Sequence, residues 1–142
     1  MRIFLDANIL FTASHNPEGK AAFVIELGNA GHFQMFTSDY ACEEALRNLS
    51  TRYPECLTRF ERLTDMLKIV RARPTAAVPE GLAEKDTAIF QAAAACRATH
   101  LLTGDLRHFG PFMNRPERTF SIRIQTVAEF LESLRSKRRP RK

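Results

Sequence analysis

Short apolar runs alternate with longer amphipathic stretches along nearly the whole chain, and this alternation constrains the fold more than any other feature. Such a pattern lays each apolar run into a parallel sheet and packs each amphipathic stretch against a face of it. Strands are expected at residues 3–5, 34–37, 67–70, 100–103 and 120–122. Helices are expected at residues 20–30, 39–49, 51–67, 86–98 and 124–134. Pro17 and Gly31 bracket the first helix, Ser38 is an N-cap for the second, and Pro54 suits the first turn of the third. Residues 72–85, with Pro74 and Pro79, and residues 104–119 are expected to be loops. The fold class is therefore α/β, built on a mostly parallel sheet.

Residues 1–134 are expected to form a single domain, and 142 residues suffice for a real core. No run reaches the ~18 apolar residues a membrane span needs, and no signal peptide is expected. Cys42, Cys56 and Cys96 are widely spaced and form no metal-ligand cluster, so reduced thiols in a cytoplasmic protein are expected. The net charge is +5, but residues 135–142, RSKRRPRK, carry six basic residues and no acid. Without those six charges the rest of the chain stands at −1. The stretch reads either as a frayed, solvated tail or as a lure for phosphate backbones.

The acids fall where this scaffold places sites. Asp6 interrupts the apolar run RIFLDANILF at the carboxyl end of the first strand. An acid there risks burial without a partner. Asp105 follows the strand in LLTGD, and Asp86 opens the helix that leads to that strand. Sites in open α/β sheets form at the carboxyl ends of the strands, so these three acids share a rim. Glu44 is expected to reach inward beside Ala41 and Ala45. Taken singly, Asp86 can complement a helix dipole, Asp105 can serve a turn, and Glu44 can pair with Arg47. Taken together, crowded carboxylates repel and call for a divalent cation. Mg²⁺ and Mn²⁺ take hard oxygen ligands, and the scattered His15, His32, His100 and His108 offer no zinc cluster. Such a pocket supports phosphodiester hydrolysis.

FLDANILF, TSDYACEEALRNL and EKDTAIFQAAAACRATHLLTGDLRHF, in that order over residues 2–125, resemble the PIN-domain nucleases, most nearly the small bacterial VapC-like toxins of toxin–antitoxin systems. The resemblance implies a three-layer α/β/α sandwich. It implies that Asp6, Glu44, Asp86 and Asp105 bind Mg²⁺ or Mn²⁺ and carry catalysis, with Asn8 and Thr103 bracing them. The implied activity is endonucleolytic cleavage of single-stranded or structured RNA, leaving a 5′-phosphate. Glu44 is preferred to Glu43 because E-A-L-R matches the family's E-x-x-R. Arg47 would then hold Glu44 or meet a phosphate, and Lys85 and Arg107 are further candidate phosphate contacts. His108 reads as a loop residue rather than a base. Phe23, Phe60 and Leu63 mark helix faces that in this family form homodimers or receive an antitoxin; ordinary core packing is the alternative.

Other readings fit less well. An aspartyl-phosphate enzyme would want D-x-D where this chain has Asp6-Ala-Asn8, a receiver-like domain would want an acidic pair there, and a dinucleotide site would want glycines that do not occur before Gly19. The main alternative is a non-catalytic PIN-like module that binds RNA or a protein through the basic stretch.

Overall fold

The computed structural model describes residues 1–71 and 77–138. Five strands form one sheet: β1 (Arg2–Leu5), β2 (Gln34–Ser38), β3 (Lys68–Val70), β4 (His100–Leu102) and β5 (Arg123–Gln125). Every neighbouring pair is parallel, in the order β3-β2-β1-β4-β5. The flanking helices are α1 (Ala7–His15), α2 (Lys20–Asn29), α3 (Asp39–Arg52), α4 (Leu57–Asp65), α5 (Glu84–Ala95), α6 (Leu106–Phe109) and α7 (Val127–Arg138). The architecture is the expected α/β/α arrangement. Ile3, Phe4 and Leu5 are fully buried, as a strand covered on both faces requires. The edge strand β3 is short and carries the exposed Lys68 and Ile69, which blunts edge-to-edge pairing. No helix among the described residues is long and apolar enough to cross a membrane.

The strand order reverses between β1 and β4. In open parallel sheets the crevice at such a reversal is where ligands bind. Asp6 leaves one of these two strands and Thr103 to Asp105 leave the other.

Several boundaries differ from expectation for identifiable reasons. Helix α1 was not expected, because Asp6 alone separates it from β1. The Asp6 carboxylate accepts the Ala7 N–H at 2.7 Å and so caps the helix. The apolar residues after Asp6 continue on a helical face, with Ile9, Leu10 and Ala13 buried. Helix α3 runs on to Arg52 and stops at Tyr53, because Pro54 disfavours helix in the residue before it. The helix expected over 51–67 is thus a 3₁₀ turn, Pro54–Cys56, followed by α4. The expected loop 104–119 contains α6 and two 3₁₀ turns. The last strand lies at Arg123–Gln125 rather than 120–122, because Phe120 and Ser121 have φ of 51° and 68° and form a left-handed corner. Helix α7 follows it, opened by reciprocal Thr126–Glu129 capping bonds.

Phe60 is buried in the core, so it marks no surface; Phe23 is exposed and Leu63 half-buried. The three cysteines are free thiols. Helix α7 carries residues 135–138 of the basic stretch. Residues 139–142, and the part of the expected 72–85 loop at 72–76, lie outside the described residues.

Ser38 is a buried cap whose Oγ accepts the Ala41 N–H at 3.0 Å, at the start of the helix that carries Glu44. Ser38→Ala should cost about 1 kcal/mol. Urea unfolding measures it, and an unchanged midpoint would refute the capping role.

Candidate functional site

The chains leaving β1 and β4 are stitched together by side chains. The Asp6 N–H donates to Leu102 O at 3.0 Å. The buried Thr103 hydroxyl donates to Asp6 Oδ2 at 2.8 Å and accepts the Asp105 N–H at 3.0 Å. Asn8 Nδ2 reaches both Asp6 Oδ2 and Thr103 Oγ1 at 3.3 Å, and Asn8 Oδ1 accepts the Gly104 N–H at 2.6 Å. A Cβ on residue 104 would stand 3.3 Å from Asn8 Oδ1, so glycine permits this close approach.

Asp6, Glu44, Asp86 and Asp105 meet in one cavity of about 50 Å³, with Asn8, Lys85 and Tyr40 on its wall. Helix α3 turns the half-buried Glu44 toward it and leaves Glu43 exposed. Asp86, on the first turn of α5, is 6% exposed, and its Oδ2 is buried with no hydrogen bond. The nearest partner to that oxygen is His108 Nδ1, 3.5 Å away. His108 Nδ1 lies closer, at 2.7 Å, to Asp105 Oδ2, while the His108 N–H meets Asp105 Oδ1 at 3.2 Å.

His108 is therefore not a loop residue standing apart. It sits on α6, which Asp105 caps, and its ring lies between two carboxylates. The D-x-x-H spacing carried that signal, since residues three apart on a helix meet. Tyr40 was not singled out in the sequence either. Lys85 is exposed at the cavity wall, whereas Arg47 and Arg107 are exposed and do not line it. Arg47 makes no ion pair with Glu44 among the described residues.

Proton affinities diverge within the cluster. Burial pushes the Asp6 carboxyl up to about 6, against the bonds from Thr103 and the Ala7 N–H, and the charges of Glu44 and Asp86 add to the rise. Burial likewise raises Asp86; His108 opposes this and Asp105 adds to it. Burial alone would also raise Asp105, but the bonds from the His108 side chain and backbone outweigh it and hold that carboxyl below its ordinary value. Four converging carboxylates, one with a buried oxygen that makes no hydrogen bond, form a donor set that suits a hard divalent cation. Asp86, Asp105 and His108 each offer a ligand atom within 4.8 Å of the others.

No curated protein matches the chain. Solved structures share its fold, two VapBC complexes among them. VapBC2 from Rickettsia felis, bound to a DNA fragment from its promoter, superposes with a TM-score of 0.63 and 14% identity, over 89% of this chain and 98% of that one. VapBC-1 from nontypeable Haemophilus influenzae gives a TM-score of 0.55 and 15% identity, over 90% of this chain and 99% of that one. The family model described as the PIN domain matches residues 2–107, a span that holds all four acids of the cavity. The chain belongs to the PIN domain family, whose members are in general nucleases.

Proposed function

We propose that this chain is a Mg²⁺- or Mn²⁺-dependent endoribonuclease that hydrolyses phosphodiester bonds of single-stranded RNA, and that it is the toxin of a toxin–antitoxin pair. The observation that carries this reading is the convergence of Asp6, Glu44, Asp86 and Asp105 on one small cavity where a buried Asp86 oxygen makes no hydrogen bond. These four residues would hold the cation. A divalent cation in such a site makes water a better nucleophile and draws charge from the phosphate.

The chain's own groups prepare that chemistry. Thr103 and Asn8 hold Asp6 in one orientation, so a ligand is in place before anything binds. Asp105 orients the His108 ring, and Lys85 offers a positive charge at the wall to an arriving phosphate. Hydrolysis adds water to phosphorus and breaks the P–O bond, leaving a 3′-hydroxyl and a 5′-phosphate. The two solved relatives are VapBC assemblies, which supports an antitoxin partner. The exposed Phe23 on α2 is a candidate contact for it or for a second copy of the chain.

Labelled single-stranded RNA incubated with the purified protein tests the reading. Cutting should require Mg²⁺ or Mn²⁺ and stop with EDTA. Asp86→Asn should lower the rate by at least about 10²-fold, since losing a ligand exceeds the usual cost of losing a residue that merely supports one. Metal-independent cutting that survives Asp86→Asn would sink the proposal. Binding of metal and RNA without cutting would favour the non-catalytic module.

A further inference from the structure

A groove between α1 and α3 opens from the carboxylate cavity. It has a volume of about 370 Å³ and shares Asn8, Glu44 and Asp105 with that cavity. Beyond the shared residues its walls include Phe11 and Thr12 from α1, and Asn48 and Arg52 from α3. The spacing explains why they line up. Glu44, Asn48 and Arg52 are four apart along α3, as are Asn8 and Thr12 along α1, so each set forms one stripe. Eight residues of helix put Arg52 about 12 Å along α3 from Glu44.

The far end of the groove is built from rings and a cation. The Arg52 guanidinium lies 5.4 Å from the ring centroids of both Phe11 and Tyr53. Tyr53 stacks on His15 with centroids 3.9 Å apart and tilts against Phe11 at 5.8 Å. The rings hold the guanidinium without neutralising it, and no carboxylate pairs with it among the described residues. Asn48 is exposed on the same stripe, and its amide carries both a donor and an acceptor.

A flat, un-neutralised guanidinium suits the stacked base and the phosphate of an unpaired nucleotide. An exposed amide suits a base edge. We infer that this groove binds a nucleotide adjacent to the cleaved phosphodiester, with the base stacked on the Arg52–Phe11 platform and its edge read by Asn48. The inference rests on the RNA-cleaving function proposed above and adds the subsite that selects what is cut.

Fluorescence anisotropy with labelled eight-nucleotide single-stranded RNAs tests it, in Mg²⁺ and in an Asp105→Asn background so that the RNA is not consumed. Arg52→Ala should weaken binding by about tenfold and flatten the slope of log affinity against log salt by about 0.7. Arg52→Lys should keep the slope but not restore affinity, because an ammonium does not stack. Asn48→Ala should change the ranking among A-, C-, G- and U-rich oligonucleotides and leave the slope alone. Unaltered affinity and slope in Arg52→Ala would overturn the subsite. In parallel kinetics on otherwise unsubstituted protein, metal-dependent cutting whose KM ignores both Arg52→Ala and Asn48→Ala would overturn the subsite while the nuclease stood. RNA bound through Arg52 by a protein that never cuts would overturn the nuclease, and with it a subsite defined by a cleaved phosphodiester, and would leave only an RNA-binding groove. No RNA binding by any form would overturn both.

Discussion

Asp6→Asn should abolish metal-dependent cleavage and, at neutral pH, make the metal-free protein more stable. The two effects have one cause. The Asp6 carboxyl is 4% exposed and burial pushes it up to about 6 from an ordinary 3.8. The folded state therefore holds its proton more tightly than the unfolded chain does. Below about pH 4 both states are protonated and the group contributes no difference. Between about pH 4 and 6 the unfolded chain releases the proton first, so stability falls as pH rises, and above 6 the full cost is present. A carboxyl raised from 3.8 to about 6 disfavours its charged form in the fold by about 3 kcal/mol. Asparagine removes the charge and keeps an oxygen for the Ala7 N–H. Its NH₂ would stand where Oδ2 stood, losing the bond that the Thr103 hydroxyl donates and confronting the NH₂ of Asn8, which trims the gain to about 1–2 kcal/mol. Urea unfolding in EDTA at pH 4.5 and 7.5 checks the sign, and added Mg²⁺ should stabilise only the unsubstituted chain. A variant less stable than the unsubstituted chain at pH 7.5 in EDTA would refute the burial cost. Undiminished metal binding by the variant would refute Asp6 as a ligand.

Phe4→Ala should have the largest effect on folding. Phe4 is fully buried in β1, paired on one side with Phe36 and on the other with Leu101. Truncating a buried phenylalanine costs about 3–5 kcal/mol, a large share of the ~5–15 kcal/mol that holds a domain together. Asp6 follows directly on the same strand, so metal affinity should fall with stability. Phe4→Leu, which conserves most of the volume, should cost less than about 1.5 kcal/mol. The midpoint of urea unfolding measures both. An alanine variant within 1 kcal/mol of the unsubstituted protein would show that the neighbouring strands close the gap.

The sheet was legible because buried parallel strands spell themselves as short apolar runs, and Asp6 was legible because it breaks one. Glu44 was preferred to Glu43 through the family resemblance, on the E-A-L-R match, and it lies beside Ala41 and Ala45 of the buried stripe of α3. Other features were hidden where one residue serves two elements. Asp6 ends β1 and caps α1, so no polar gap announces the helix. Asp105 follows β4 and caps α6, and without knowing that α6 begins there, nothing ties His108 to the acids. Phe120 resembled a strand residue, yet it is 59% exposed in a left-handed corner, and the true strand begins with an exposed arginine. The Arg52 platform depends on a helix running past its expected end and on rings from α1, which local periodicity does not reveal.

The central place of β1 also sets an order of events during synthesis. β1 can pair with β2, and β2 with β3, as those segments leave the ribosome. The other edge of β1 stays open until residues 100–102 arrive, nearly a hundred residues later. Until then an apolar strand edge is exposed on the nascent chain, the condition that invites chaperone capture or misassembly. Asp86 is made late in that wait and Asp105 only after it, so for most of its synthesis a growing chain carries Asp6 and Glu44 without the carboxylates opposite them. On the nuclease function proposed above, a chain assembled in this order would spare its own messenger during translation and gain the four-carboxylate cavity only once β4 has paired with β1 and Asp105 has followed it.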